Sequence, residues 1–318
     1  MSELPDTMRA IVAPAPGGPE TLEERELPRP SPGPGEVLVR VAAAGVNPVD
    51  AKTRSGAGAA RFLGDADWPW VPGWDLAGTV VGAGFGVARF GVGDRVFGTV
   101  GFPRAAGAYA EYAVAHVSQL SRSPRSLDDV HAAALAMGGL TAWQALVDAG
   151  GLETNQRVLI TAAAGGVGHL AVQIAADLGA HVIAVASPDN VDFVRGLGAY
   201  EILDRTREDW AAGVEPVDLV LDCHGGPARS PAMGTVRPGG TIVTLPTGGD
   251  REAAPDGVHD PTVFVAPDGL ELQLLTGSVE RGALKPHVSE ALPLADASRA
   301  HELIASGATQ GKIVLTLD

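Results

Sequence analysis

Between Arg157 and Ser187 the chain reads RVLITAAAGGVGHLAVQIAADLGAHVIAVAS: an apolar run, a turn of small residues, an amphipathic stretch, Gly179 and a second apolar run. An apolar strand leading through small residues into a helical period and back to strand is a βαβ unit, which commits both strands to one parallel sheet. The turn is Ala162-Ala163-Ala164-Gly165-Gly166-Val167-Gly168. A dinucleotide pyrophosphate needs small residues there for a tight bend, for backbone approach, and for close packing of helix on strand. Gly165 and Gly168 fill the last two positions of G-x-G-x-x-G, with Ala163 at the first, so the match is to the relaxed pattern. Ala163, Ala164, Gly165, Gly166, Val167 and Gly168 are therefore the candidate cofactor loop.

The same alternation runs on both sides of this unit. The pattern predicts a helix over 131–148, strands over 157–161 and 181–186, helices over 167–178 and 190–197, and further strands over 201–203, 218–222 and 241–245. Together they predict a doubly wound parallel sheet over residues 133–266, with a last edge strand at 262–266. Before it, short β-branched runs at 37–42, 78–81 and 95–98 alternate with Gly and Pro, and PRPSPGPGE (Pro28 to Glu36) reads as an approach loop. Residues 268–282 pattern as a helix, and the remaining tail, in strand, helix, strand order, is expected to rejoin the first domain. The expected organisation is thus a β-rich domain over 1–132, completed by 267–318, plus the parallel-sheet domain.

Composition narrows the partners. A chain of 318 residues with 23 basic and 38 acidic side chains carries a net charge of −15, which repels phosphate backbones and anionic lipid. No nucleic acid or membrane partner is expected. Cys223 is the single cysteine, so neither an internal disulfide nor a thiolate zinc cluster is available. With no basic start followed by an apolar stretch, the chain is expected to be soluble, unprocessed and cytoplasmic.

The choice between cofactors falls at the end of the second strand. A carboxylate there accepts from the ribose 2′-hydroxyl of NAD and repels a 2′-phosphate. This chain has Ala186 and Ser187, with Arg205 just after the third strand as the nearest cation, which favours NADP(H). Asp189, two residues on, is the counterargument.

With these residues laid out, the chain resembles the zinc-independent quinone oxidoreductase branch of the medium-chain dehydrogenase/reductase (MDR) superfamily. The landmarks are PGPGEVLVRVAAAGVNPVDAKTRSG from Pro32, PGWDLAGTVV from Pro72, GVGDRVFG from Gly91, GAYAEYAV from Gly107, GLTAWQAL from Gly139, AAAGGVG, VDLVLDCHGG, RPGGTIV and the closing GKIVL. The resemblance implies an α/β chain, a GroES-like β-rich catalytic domain plus a Rossmann doubly wound parallel-sheet domain. It also implies a homodimer built on an edge strand, here near 262–266.

Zinc members of the superfamily carry a Cys ligand where this chain has Asn47 and Gly-His-Glu where it has Gly73-Trp74-Asp75, so no metal is expected. Without a Lewis acid the reaction expected is hydride transfer from NADPH to a quinone or conjugated enone, whose charge delocalises.

Residue by residue, the resemblance places Asn47 beside nicotinamide and substrate, where an Asn-Pro turn is the plainer role. Asp50 and Lys52 follow in the same motif, with Lys52 either meeting the substrate oxygen or capping a helix in solvent. Thr141 matches a threonine at the nicotinamide face, or is simply helical. Ser187, Asn190 and Arg205 match the 2′-phosphate pocket, Asn190 standing where some members have lysine. Cys223 is read as cofactor-side wall, and Leu245, Pro246, Thr247, Phe264 and Val265 as the nicotinamide lining. Lys312 reaches the cofactor or forms a surface ion pair. Trp68, Trp70 and Trp74 read as an aromatic wall or as core. Two rival functions stand beside this one: a trans-acting enoyl reductase, and a non-catalytic NADPH-binding protein.

Overall fold

The computed structural model describes residues 4–64, 67–226, 229–245 and 252–317. The chain forms two compact units, one of Met1–Met137, Ala266–Glu280 and Pro286–Asp318, the other of Gly138–Val265 with Arg281–Lys285. The division between Met137 and Gly138 falls inside a helix.

The first unit opens with β1 (Thr7–Val12), β2 (Glu23–Pro28), β3 (Glu36–Val46), α1 (Pro48–Arg54), β4 (Asp75–Ala83), β5 (Arg95–Thr99), β6 (Tyr112–His116) and β7 (Leu120–Arg122). Helix α2 (Asp129–Trp143) carries the chain into the second unit, which contains β8 (Arg157–Ile160), α3 (Gly168–Asp177), β9 (His181–Ala186), α4 (Val191–Gly196), β10 (Glu201–Asp204), β11 (Val217–Asp222), α5 (Arg229–Met233) and β12 (Val236–Thr244). The chain then returns to the first unit with α6 (Gly269–Glu280), β13 (Val288–Pro293), α7 (Ala297–Ser306) and β14 (Lys312–Thr316).

In the first unit a mostly antiparallel sheet runs β13-β14-β3-β4-β5-β7, with β6 also on β3. Its core gathers Val39, Val41, Val46, Leu76, Val80, Val96, Ile313 and Leu315 from the strands, with Tyr109 from the loop before β6. Small residues are needed where β3 ends: a Cβ on Gly45 would stand 2.8 Å from the Ala133 carbonyl and 3.0 Å from the Asp75 side chain. Glycine there lets α2 and Asp75 close over the strand end.

The second unit is a five-stranded parallel sheet of order β10-β9-β8-β11-β12. The chain winds outward from β8 through β9 to β10, then crosses back to β11 on the other flank, so the winding reverses between β8 and β11. Loops at the carboxyl ends of strands flanking such a reversal form the usual ligand crevice of doubly wound sheets. The stretch 262–266 forms no strand; it contributes one bridge, Thr244 with Thr262. Pro261 and Pro267 flank it, each lacking a donor, and Val263 alone of the five is buried.

Candidate functional site: a buried polar row and a cofactor loop

The sheet register of the first unit assembles a polar row. Ile313 pairs with Val46 across β14 and β3, so one step further along this antiparallel ladder Lys312 faces Asn47. Asp75 opens β4 opposite Gly45 and pairs with Thr99 of β5. Four neighbouring strands thus bring Lys312, Asn47, Asp75 and Thr99 to the same end of one sheet. All four are buried.

Their bonds form a continuous chain. The Lys312 ammonium donates to Asn47 Oδ1 and, at 3.1 Å, to the Val46 carbonyl, and lies 4.0 Å from Asp75 Oδ2. Asn47 Nδ2 donates to Asp75 Oδ2 at 2.8 Å. The other oxygen of Asp75 accepts from Thr99 Oγ1 at 2.7 Å and from the Met137 amide at 3.0 Å. Burial pushes the Asp75 carboxyl up against the pull of these partners, and burial pushes the Lys312 ammonium down. Lys312, read from the sequence as reaching the cofactor or a surface partner, has its ammonium inside this row.

Asn47 is also the N-cap of α1, and Asp50 Oδ2 accepts its backbone N–H at 2.7 Å. Proline at the first helical position costs the helix nothing, since that N–H has no partner in any helix. Asp50 is wholly buried, and its Oδ1 has no partner among the described residues. Tyr109 OH stands 3.4 Å from Asp50 Oδ2 and 3.4 Å from His301 Nε2, while His301 Nδ1 accepts from Arg54 Nε at 3.2 Å. Desolvation pushes the Asp50 carboxyl up to about 8 and His301 down to about 3, so at neutral pH this second chain carries a neutral acid and a neutral imidazole.

In the second unit, β8 ends in the Gly/Ala turn. The bend is made by Ala162, in the left-handed region at φ +46, rather than by Ala163, whose amide bonds the Val185 carbonyl at 3.1 Å. A Cβ on Gly168 would sit 2.2 Å from the Ala162 carbonyl, so only glycine lets α3 start this close to the strand. Gly165, Gly166 and Val167 stay partly exposed at the N-terminus of α3. Glycine where a Cβ is excluded, with open backbone at a helix N-terminus, fits a pyrophosphate.

Thr161 and Asp222 tie the switch point together: Thr161 Oγ1 donates to Asp222 Oδ1 at 2.7 Å and accepts from the Cys223 amide at 3.0 Å. Asp222 Oδ1 accepts also from the amides of His224 and Gly225. Cys223 thus lies in the crevice loop, its thiol pushed up by burial and by Asp222.

At the end of β9, Asn190 Nδ2 donates to Ser187 Oγ at 2.9 Å, leaving the serine proton to be donated elsewhere. The Arg205 amide bonds the Ala186 carbonyl at 2.9 Å, which puts Arg205 beside the same strand end. Asp204 is occupied by Thr206, through its amide at 2.8 Å and its hydroxyl at 2.7 Å, and Asp189 is exposed. On the opposite flank of the sheet, Leu245 follows β12 and is buried, whereas Phe264 is exposed and Val265 half-buried. Pro246 and Thr247 lie outside the described residues.

Lys52 is half-buried in α1, and burial lowers its ammonium. Thr141 lies within α2 of the second unit, just ahead of a π-helical turn over Gln144–Ala149; such turns gather at functional sites. The three tryptophans stack as core more than wall: Trp70 lies 6.0 Å from Trp68 and 5.4 Å from Trp74, with Trp70 and Trp74 buried. Trp74 donates its indole N–H to the Arg104 carbonyl at 2.7 Å.

Sequence reasoning missed Tyr109, His301 and Thr161 altogether, and used Asp75 only as a lost ligand. The one signal available was the apolar run VDLVL ending abruptly in Asp222.

A GroES-like sheet joined in one chain to a parallel dinucleotide sheet defines an NAD(P)H-dependent oxidoreductase acting on a small molecule. Comparison with known proteins agrees. Residues 33–125 match the alcohol dehydrogenase GroES-like domain and residues 197–315 the zinc-binding dehydrogenase family. The chain is 32% identical to a chloroplast envelope quinone oxidoreductase homolog of Arabidopsis thaliana, covering 94% of this chain and 95% of the relative. It superposes on the quinone oxidoreductase of Coxiella burnetii with TM-score 0.90 and 33% identity, over 98% of this chain and 100% of that one. A mycobacterial structure complexed with NADPH superposes with TM-score 0.85 and 29% identity, over 98% and 100%. The chain belongs to the quinone oxidoreductase branch of the MDR superfamily.

Proposed function

We propose that this oxidoreductase transfers hydride from NADPH to a quinone or an α,β-unsaturated carbonyl, and that it does so without zinc. The observation that carries the reading is the Lys312–Asn47–Asp75 row. At the positions where zinc members hold Cys and Gly-His-Glu, this chain has an amide engaged at both ends and an indole bonded to a backbone carbonyl. A tetrahedral catalytic zinc needs three Cys, His or carboxylate donors, and among the described residues no three such side chains cluster. The donor set does not fit a metal.

The residues of the second unit do fit a dinucleotide. Gly165 to Gly168 at the start of α3 would take the pyrophosphate, and Ser187, Asn190 and Arg205 would take the 2′-phosphate. NADPH supplies the hydride; the protein binds and orients the reactants and excludes water. Without a cation to hold an alkoxide, substrates whose developing charge delocalises by conjugation are favoured. Phe264, exposed beside the bridge to β12, supports a homodimer formed at that edge.

The test is a steady-state survey of NADPH oxidation with 1,4-benzoquinone, a conjugated enone and a saturated aldehyde, together with metal analysis of the purified protein. Turnover of the first two, none of the third and no stoichiometric zinc is expected. Efficient turnover of the saturated aldehyde together with bound zinc would overturn the reading.

A further inference from the structure

Asn47 sits between a group that can only donate and a group that, when ionised, can only accept. The ammonium of Lys312 has three N–H donors and no lone pair; the carboxylate of Asp75 has lone pairs and no proton. Amide oxygen and nitrogen look alike in most structures, yet here chemistry fixes which is which: the oxygen must face Lys312 and the NH2 must face Asp75. Turned over, the side chain would set N–H against ammonium and oxygen against carboxylate, with both charges buried. Asp75 is itself held by Thr99 and Met137, and Lys312 by Val46, so neither end can swing to follow the amide. One amide proton of Asn47 has no partner among the described residues.

We infer that Lys312 and Asp75 are positioning residues which lock the Asn47 amide in one orientation, so that its second N–H is held ready as a donor to the bound substrate. The inference rests on the reading above that Asn47 serves hydride transfer. Lys312 on this account acts through Asn47, in contrast to an ammonium that meets the cofactor directly.

Two readouts separate these possibilities. The chain has three asparagines, Asn47, Asn155 and Asn190, so selective 15N-asparagine labelling gives three side-chain amides, and Asn47→Ser identifies the relevant one. Its two protons should be widely separated in shift, one bonded to Asp75 and one not. Lys312→Met removes the donor from the oxygen and the counter-charge from Asp75, and this separation should collapse. In parallel, kcat with NADPH and 1,4-benzoquinone should fall about tenfold or more while KM for NADPH stays within about threefold. The kcat profile should also gain an ionisation from Asp75. If Lys312→Met does not fold, the charge-balanced Lys312→Met/Asp75→Asn carries the same comparison.

An unchanged shift separation overturns the inference, as does a collapsed one with wild-type kcat. So does a KM for NADPH raised about tenfold or more at unchanged kcat, which would assign the ammonium to the cofactor. A wild-type protein that oxidises no NADPH with any quinone or enone refutes the functional reading instead, and the shift measurement still decides whether Lys312 orients the amide.

Discussion

Asp50 holds the backbone N–H of Asn47 with one carboxyl oxygen and leaves the other, also buried, with no partner among the described residues. On the other side of Asn47, Asp75 receives three hydrogen bonds and lies 4.0 Å from the Lys312 ammonium. The two carboxyls therefore differ in the charge they can bear. Asp75 has what an ionised group needs; Asp50 does not, and its pKa is pushed up to about 8.

The consequence for stability has a definite sign. Asp50 titrates near 3.8 unfolded and about 8 folded, so across that window the native chain binds more protons, and stability falls as pH rises. His301, pushed down from 6.5 to about 3, acts oppositely: below 6.5 the unfolded chain binds more protons, so stability rises with pH. The two offset one another below about 6.5, and Asp50 acts alone from there to about 8. Asp50→Asn keeps an acceptor for the Asn47 amide and removes the titration. Its stability relative to wild type should improve between pH 5 and 8 by up to about 1.4 kcal/mol per pH unit. Urea unfolding at both pH values measures this, and parallel curves for the two proteins would show that Asp50 is ionised throughout.

Cofactor preference should turn on Ser187 and Arg205. A hydrogen bond to a charged phosphate contributes about 1.5–3 kcal/mol, so Arg205→Ala should weaken NADPH selectively, and Ser187→Asp, by opposing carboxylate to phosphate, should reverse the preference. Titration calorimetry with NADPH and NADH checks both. Equal affinities in the wild type would count against the pocket and turn attention to the exposed Asp189.

What could be read from the sequence was whatever is local. The strand 181–186 and the turn into α3 follow from apolar runs broken by small residues, and the structure places them at His181–Ala186 and Gly168. The edge strand at 262–266 failed because a β-branched run was weighed without its flanking prolines. The polar row failed for a different reason. Lys312 and Asn47 are neighbours only through the β14–β3 register, and Tyr109 meets His301 only after α7 docks. Pairing between distant strands leaves no periodicity in either strand, so a resemblance named Asn47 while its partners went unseen.

Gly168→Ala is a direct test of the cofactor loop. The added methyl would meet the Ala162 carbonyl at 2.2 Å, and backbone cannot move aside as a side chain can. Overpacking of this kind costs about 1–3 kcal/mol. Both the melting temperature and NADPH affinity should drop, because shifting the start of α3 moves the amides that face the pyrophosphate. A variant that melts lower yet binds NADPH like wild type would remove this loop from the cofactor site.

Asn47→Ala strips two buried partners at once, leaving the Lys312 ammonium and the Asp75 carboxylate short of one hydrogen bond each. Bonds to charged groups are worth about 1.5–3 kcal/mol, so a lower melting temperature is expected even though the amide adds little packing. Activity should fall further than stability accounts for. At a temperature where circular dichroism shows the variant fully folded, kcat for quinone reduction should be down about tenfold, equivalent to about 1.4 kcal/mol of lost transition-state stabilisation. The comparison within one variant is what makes this informative: a structural role alone predicts normal turnover once the protein is folded. A cold, folded Asn47→Ala enzyme with wild-type kcat would reduce the asparagine to a helix cap and a strut between two charges.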